Sequence, residues 1–286
     1  MSAELNQFHN LNCFDPIDAE TLTSEQKRNA LASLMFLKQK RATQDEEGKV
    51  KARGCIVGTP QREYIKKEDA ASPTVSLESL FILISINAFE KRKTGTFDCP
   101  GAFLHAKSDE DVIIALEGPL AELMVKVDPK IYRKYISTNK KGKPVLYAKC
   151  NAAMYGMMRS ALLFYRKLRG DLEHYGFRVN PYDPCVANAI VGGTQMTAFW
   201  HVDDLHVSHA DDFEITRLGH YLSCIYGGLC VQRGMRHDVL GINVDYSMAE
   251  SDGTVLIDQI PYIKNILREF PERLGGQSNA RPGALI

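Results

Sequence analysis

The sequence predicts an α+β fold, an antiparallel sheet with helices packed against one face. Three observations carry that expectation. First, the hydrophobic period alternates along the middle of the chain. A strongly apolar helix is expected over Leu77–Lys91, then short strands, an amphipathic helix over Met157–Tyr175, a hairpin, and a helix over Asp211–Ile225. Second, Gly192-Gly193-Thr194 separates two β-type runs, Cys185–Val191 and Gln195–Val202, which is a hairpin signal. Third, Asp203-Asp204 lies inside the apolar run from Phe199 to Val207. Carboxylates rarely sit this close within apolar sequence unless a turn exposes them or a metal neutralises them.

The elements follow in order. Residues 1–16 read as loose. Thr23 or Ser24 caps a helix over Glu25–Gln39, striped by Ala30, Leu31, Leu34 and Leu37. Ala42–Lys49 is a charged loop and Val50–Val57 a strand, stopped by Gly58-Thr59-Pro60. Ser76 caps the core helix. Gly95 resets the chain into strand Thr96–Cys99, ended by Pro100-Gly101, so Asp98 lies near a strand end. Asp111–Leu116 and Val145–Cys150 are strands flanking the ambiguous Lys126–Tyr135 and the basic turn Asn139–Pro144. Gly176 caps the long helix at its C-terminus. Leu205–Ser208 returns from the acid pair as a strand. Val239–Tyr246 pairs with Thr254–Asp258, a helix runs from Pro261 to Phe270, and the tail from Gly275 is expected to be disordered.

Composition sets outer limits. The chain has 286 residues, 44% hydrophobic and 24% charged, as a water-soluble globular protein does. No run reaches the roughly 18 apolar residues of a membrane span, and Met1–Asn12 lacks a secretory pattern, so an intracellular, non-secreted protein with no membrane partner is expected. Seven cysteines without a Cys-x-x-Cys read as free thiols. Charge balances at 35 Lys+Arg against 35 Asp+Glu, which weighs against a nucleic-acid enzyme. The distribution is uneven: Lys126–Lys149 holds eight basic residues and one acid, whereas Asp98–Glu122 holds six acids and one Lys. Such zones suit a metal site beside a polyanion track, and they equally suit solvated faces.

Asp98 and Asp203-Asp204, on neighbouring strand ends, are the three carboxylates a two-metal phosphoryl-transfer site requires. Taken alone, the same acids also suit a strand-end turn and a hairpin turn. Lys51 and Arg53 alternate on one strand and share a face, where they would grip a triphosphate or simply line a solvated edge. The Lys140-Lys141-Gly142-Lys143 loop would touch template phosphate or be an exposed turn. His201, His206 and His209 lack the spacing of a zinc set, and none is expected to ligate a metal.

Five blocks, in order, resemble the reverse transcriptase domain of Ty1/copia-type retrotransposon polyproteins. They are Lys51-Ala52-Arg53; Ala71-Ser72-Pro73-Thr74-Val75; Phe97-Asp98 with Gly101-Ala102-Phe103-Leu104-His105; Met154-Tyr155-Gly156-Met157 with Tyr165; and His201-Val202-Asp203-Asp204-Leu205. With Leu240-Gly241-Ile242 and Gln259–Phe270, the likeness spans Val50–Phe270. The resemblance implies a right-handed palm-and-fingers polymerase fold with an antiparallel palm sheet backed by helices. It also implies RNA-directed DNA synthesis from dNTPs on a primed RNA or DNA template, with Mg²⁺, or Mn²⁺ in its place. Asp98 and Asp203 would bridge the metals, with Asp204 more peripheral, and Phe103 would pack beneath the incoming sugar. The implied divisions are an N-terminal extension and helix (1–49), a fingers-like segment with the core helix (50–96), palm with interleaved fingers parts (97–246), a connection-like remnant (247–274) and a disordered tail (275–286).

The departures are specific. Arg159, Ala161 and Leu162 stand where the family has glutamine, proline and arginine, and Arg159 is expected at the nucleotide, as a phosphate donor. Val57 replaces a second basic residue, and His201 replaces the tyrosine before the aspartates. No protease, zinc-knuckle, integrase or ribonuclease H segment is seen, so the expectation is a piece of a longer polyprotein. The second reading is a catalytically weak or inactive relic that binds nucleic acid or protein.

Overall fold

The computed structural model describes residues 2–39 and 50–270, so the expected loop Ala42–Lys49 and the tail from Gly275 lie outside the described residues. Three sheets organise the chain. The first joins β1 (Phe14–Ile17), β2 (Leu31–Gln39), β3 (Val50–Ile56), β5 (Ile113–Glu117), β6 (Ile136–Thr138) and β7 (Pro144–Cys150). Its spatial order is β1-β7-β5-β2-β3 with β6 also on β7, which makes β3 an edge. The second has the order β12-β4-β11-β10-β9-β8, from β4 (Lys93–Asp98), β8 (Arg178–Val179), β9 (Val186–Val191), β10 (Thr194–His201), β11 (Asp204–His209) and β12 (Cys230–Arg233). The third is β13 (Arg236–Val239), β14 (Ile242–Asp245) and β15 (Leu256–Asp258). Every strand pair is antiparallel except β2 with β5, which gives a mixed α/β architecture.

The helices are α1 (Ser2–Asn10), α2 (Ser24–Asn29), α3 (Lys67–Ala70), α4 (Leu77–Phe89), α5 (Pro119–Val127), α6 (Pro129–Tyr132), α7 (Ser160–Tyr175), α8 (Asp212–Tyr226), α9 (Ala249–Asp252) and α10 (Ile260–Glu269). Two caps fall where expected: Ser76 Oγ accepts from Ser79 N, and Gly176 adopts the left-handed conformation after α7. Asp211, expected as the first helical residue, is instead the cap of α8 and accepts from Phe213 N.

Helices cover both faces of the second sheet, not one. Phe97, Leu205 and Trp200 point toward α7 and α8: Phe164 and Leu168 of α7 and Leu222 and Tyr226 of α8 pack there. A side chain added at Gly219 of α8 would meet the Phe97 ring, so the small residue sets that close approach. On the other face, Thr96, His206 and Phe199 meet Ile84 and Asn87 of α4 and His237 and Val244 of the third sheet. α4 buries Leu80, Ile84, Asn87 and Ala88, while its Leu77, Phe81, Ile82 and Phe89 are exposed.

Three further expectations fail. The helix over Glu25–Gln39 stops at Asn29, and residues 31–39 form β2. Thr23 makes the expected capping box with Gln26, but Ala30 leaves the helix and the apolar run pairs with β3. The run Leu31-Ala32-Ser33-Leu34-Met35-Phe36-Leu37 fits either period, and pairing with β3 and β5 decided it. Residues 1–16 are not loose: Leu5 and Phe8 of α1 are buried and β1 pairs with β7. The expected single strand Val239–Tyr246 breaks at Leu240-Gly241, both at positive φ, into the β13–β14 hairpin.

Candidate active site

β4 and β11 are neighbours, and their register sets Asp204 directly opposite Asp98. Cross-strand partners project to one face, so these carboxylates share a side of the sheet. The row continues outward: His201 faces Asp204 from β10, and Cys230 faces Asp98 from β12. One residue along each strand, Phe97, Leu205 and Trp200 are buried on the opposite face, while Asp98 and Asp204 are exposed.

Asp203 is held by the hairpin itself. The His201–Asp204 pair closes a two-residue turn, Val202-Asp203, and Val202 has a φ of 58°. A left-handed first turn residue twists the way paired strands do. A β-branched residue in that conformation is strained, so the turn is tight by construction.

The acids act on one another. Partial withdrawal from water pushes the Asp203 carboxyl above the usual range, and Asp98 adds repulsion that Arg53 and His201 oppose. Asp204 is raised in the same way, by desolvation first and then by Asp203 and Asp98. Mutual repulsion between all-oxygen donors is the condition that a hard divalent cation relieves. Among the described residues, however, no three His, Cys, Asp or Glu side chains stand as a ready metal-holding group.

Beside the acids lies a stack that links the sheets. The Arg53 guanidinium sits over the Tyr155 ring at 4.6 Å, and the Phe103 ring is 4.7 Å from the same ring. The docking has a local cause. Ile56 N donates to Tyr155 O at 2.7 Å, and a side chain on Gly156 would collide with the Ile56 carbonyl. Gly156, at φ 90°, thus lets the edge strand β3 approach and brings Arg53 toward Asp203. Gly101, at φ 69°, turns the chain after Asp98 into the helical turn Ala102–His105, which carries Phe103. Lys51 lies two residues from Arg53 on β3, exposed and opposite Lys38.

Other expected site residues lie apart from the acids. Arg159 pairs with Asp109 at 2.8 Å. Lys140, Lys141 and Lys143 are exposed on the β6–β7 turn of the first sheet, where Asn139 Oδ1 accepts from the backbone of Lys141 and Lys143. His206 hydrogen-bonds Thr96, and His209 hydrogen-bonds Thr194, so both are engaged in the sheet.

The profile of the family described as reverse transcriptase (RNA-dependent DNA polymerase) matches residues 21–277. The chain belongs to the reverse transcriptase family. The quoted motifs place it with the Ty1/copia type. A relative is the retrovirus-related Pol polyprotein from transposon TNT 1-94 of Nicotiana tabacum, 22% identical over 233 residues. That stretch is 81% of this chain and 16% of the relative, so the chain spans about a sixth of the length of the relative it matches. Among solved structures, a telomerase from Candida albicans in complex with a fragment of telomeric RNA is similar over 89% of this chain and 49% of its own. Its TM-score is 0.41 at 11% identity. Among the described residues, no helix is long and apolar enough to cross a membrane.

Sequence reasoning missed two features of the site. Tyr155 was legible as a motif residue, but its place between Arg53 and Phe103 depends on strand docking. Cys230 gave no signal, because β12 is four residues without alternation and its pairing with β4 is long-range.

Proposed function

We propose that this chain is an RNA-directed DNA polymerase in which Asp98, Asp203 and Asp204 form the catalytic centre. The second sheet would be the palm, and the β2–β3 hairpin with Arg53 the fingers. The substrates would be dNTPs and a primed RNA or DNA template. The observation that carries the reading is the register of Asp204 on Asp98 beside the two-residue turn that holds Asp203. Repelling oxygen donors of this kind fit Mg²⁺, with Mn²⁺ as substitute, and the three aspartates would hold it. A bound divalent pair would supply charge neutralisation at the triphosphate and a more acidic primer 3′-hydroxyl.

The chain's own residues have separable tasks. Arg53, fixed over Tyr155, offers a planar donor to phosphate oxygens, and Lys51 adds a point charge on the same strand face. Phe103, braced by Tyr155 and Phe164, would pack beneath the incoming sugar, where bulk disfavours a 2′-hydroxyl. Lys140, Lys141 and Lys143 would contact template backbone without reading bases.

A second reading, a weak or inactive relic that binds nucleic acid or protein, is favoured by one observation. Arg159, expected as a phosphate donor, pairs with Asp109 at 2.8 Å. Primer extension on RNA and DNA templates, with Mg²⁺ or Mn²⁺, separates the two. Synthesis by the parent that is lost in the Asp203→Asn/Asp204→Asn double variant supports the polymerase. Binding without synthesis supports the relic.

A further inference from the structure

One row beneath the acids, the same three strands carry a buried polar chain. Thr96 of β4 lies opposite His206 of β11, as Asp98 lies opposite Asp204 one row above. Thr96 Oγ1 is 3.1 Å from His206 Nδ1 and 3.0 Å from Nδ1 of His237, which comes from β13 of the third sheet. His237 Nε2 is 2.9 Å from the Gly234 carbonyl and 2.8 Å from Thr94 Oγ1. Phe199 stacks on the His206 ring at 4.8 Å with an interplanar angle of 10°, which fixes the ring plane.

Counting protons orders this chain. A carbonyl only accepts, so His237 Nε2 carries the hydrogen that reaches Gly234 O. His237 Nδ1 is then bare and must accept. Thr96 has one hydroxyl hydrogen, and His237 takes it. The remaining partner, His206 Nδ1, must therefore donate to Thr96 Oγ1. The order runs from His206 through Thr96 and His237 to Gly234, with no alternative while both imidazoles are neutral. Burial keeps them neutral. His206 and His237 are both buried, where the charged ring is disfavoured.

We infer that Thr96 is a positioning residue. Thr94 also meets His237, but Thr96 is the hydroxyl that joins His237 of the third sheet to β4 and to His206 of β11 together, and so to the Asp98–Asp204 pair one row above. Thr96 touches neither acid and no substrate, so it acts through strand placement alone. This inference rests on the polymerase reading only for its kinetic consequence. The proton order stands independently of that reading.

The test uses the full chain in three forms: parent, Thr96→Val and Thr96→Ser. Imidazole nitrogen NMR of the parent should show His206 protonated at Nδ1 and His237 at Nε2. The opposite tautomers overturn the inference whatever the chain's activity. Thr96→Val removes the link at nearly constant shape. Its nucleotide incorporation rate at saturating dNTP should fall about tenfold or more, because small misplacements of reacting groups are costly. KM for dNTP should stay within about twofold, since no binding group is removed. Thr96→Ser should restore the parental rate and both tautomers. A folded Thr96→Val variant with the parental rate overturns the positioning role. Should the parent itself make no product, the polymerase reading fails separately, and Mn²⁺ affinity by EPR takes the place of rate. Weaker Mn²⁺ binding in Thr96→Val than in Thr96→Ser supports the positioning role, and equal binding, or none in the parent, overturns it.

Discussion

Asp98, Asp203 and Asp204 sit where paired strands and a two-residue turn fix the backbone, whereas Lys140, Lys141 and Lys143 sit on an exposed turn held by Asn139. The two regions carry opposite charge and are built by opposite means. The acids are kept together against their own repulsion by strand pairing and by a turn with a strained Val202. The lysines are free to point at solvent, and nothing in the fold opposes their spacing. A structure that holds like charges close is set for a small, highly charged ligand. A structure that leaves them exposed suits a long polyanion that can be met in many poses.

The largest expected effect breaks the acid side of this comparison. Asp98→Asn or Asp203→Asn keeps shape and removes a charged ligand. Loss of one preorganised electrostatic group should lower primer extension by at least about 10²–10³-fold, with far-UV circular dichroism unchanged. Extension at near parental rate in either variant would place the chemistry elsewhere.

Phe103 tests the boundary between the two regions. Its ring is half-buried and braced by Tyr155, which itself carries Arg53. Phe103→Ala should relax the preference for deoxyribonucleotides over ribonucleotides by about 10-fold or more, in line with 1–3 kcal/mol for a lost packing contact. Primer–template affinity should change little. An unchanged sugar ratio returns Phe103 to ordinary packing.

The basic turn should show a smaller and differently shaped effect. Replacing Lys140, Lys141 and Lys143 together with Gln should weaken binding to unrelated sequences by similar factors. The log-affinity slope against log salt should become shallower by about 1 per lysine lost. Fluorescence anisotropy at several salt concentrations measures both. A sequence-dependent loss, or an unchanged slope, removes this turn from the nucleic-acid track.

The same contrast explains what the sequence made legible. Local signals were enough for the hairpin with the acid pair, the caps at Ser76 and Gly176, and the strand end at Asp98. Each depends on residues within one turn of itself. What was not legible depended on distant partners. The run 31–37 became a strand because β3 and β5 were there to pair with it. Arg53 reached Tyr155 because Gly156 admitted Ile56. The pairing of Arg159 with Asp109, fifty residues earlier in sequence, likewise depends on a distant partner. The zone of balanced charge said least, since composition does not record which acids face one another.

The smallest expected effect concerns the stability cost of the acid side. The folded-state pKa of Asp203 lies above its unfolded value, chiefly because the group is partly withdrawn from water and then because Asp98 faces it. For a carboxyl shifted in this direction, the ionised form is the disfavoured one in the fold. The penalty is fully present above the folded pKa, shrinks as pH falls through it, and is gone below the unfolded value. Asp204 is shifted the same way and adds to the effect. Asp203→Asn should therefore raise the melting temperature at neutral pH, even though it removes activity. The gain over the parent should vanish as pH falls into the ordinary carboxylate range. Mg²⁺ or Mn²⁺ should raise the parental melting temperature at neutral pH and leave Asp203→Asn nearly unmoved, because stabilisation by a ligand requires that the folded state bind it better. Melting curves of both forms across pH, with and without cation, provide the measurement. A variant less stable than the parent at neutral pH would mean that Asp203 holds the turn more than it strains it, and the contrast with the basic loop would then rest on position rather than on repulsion.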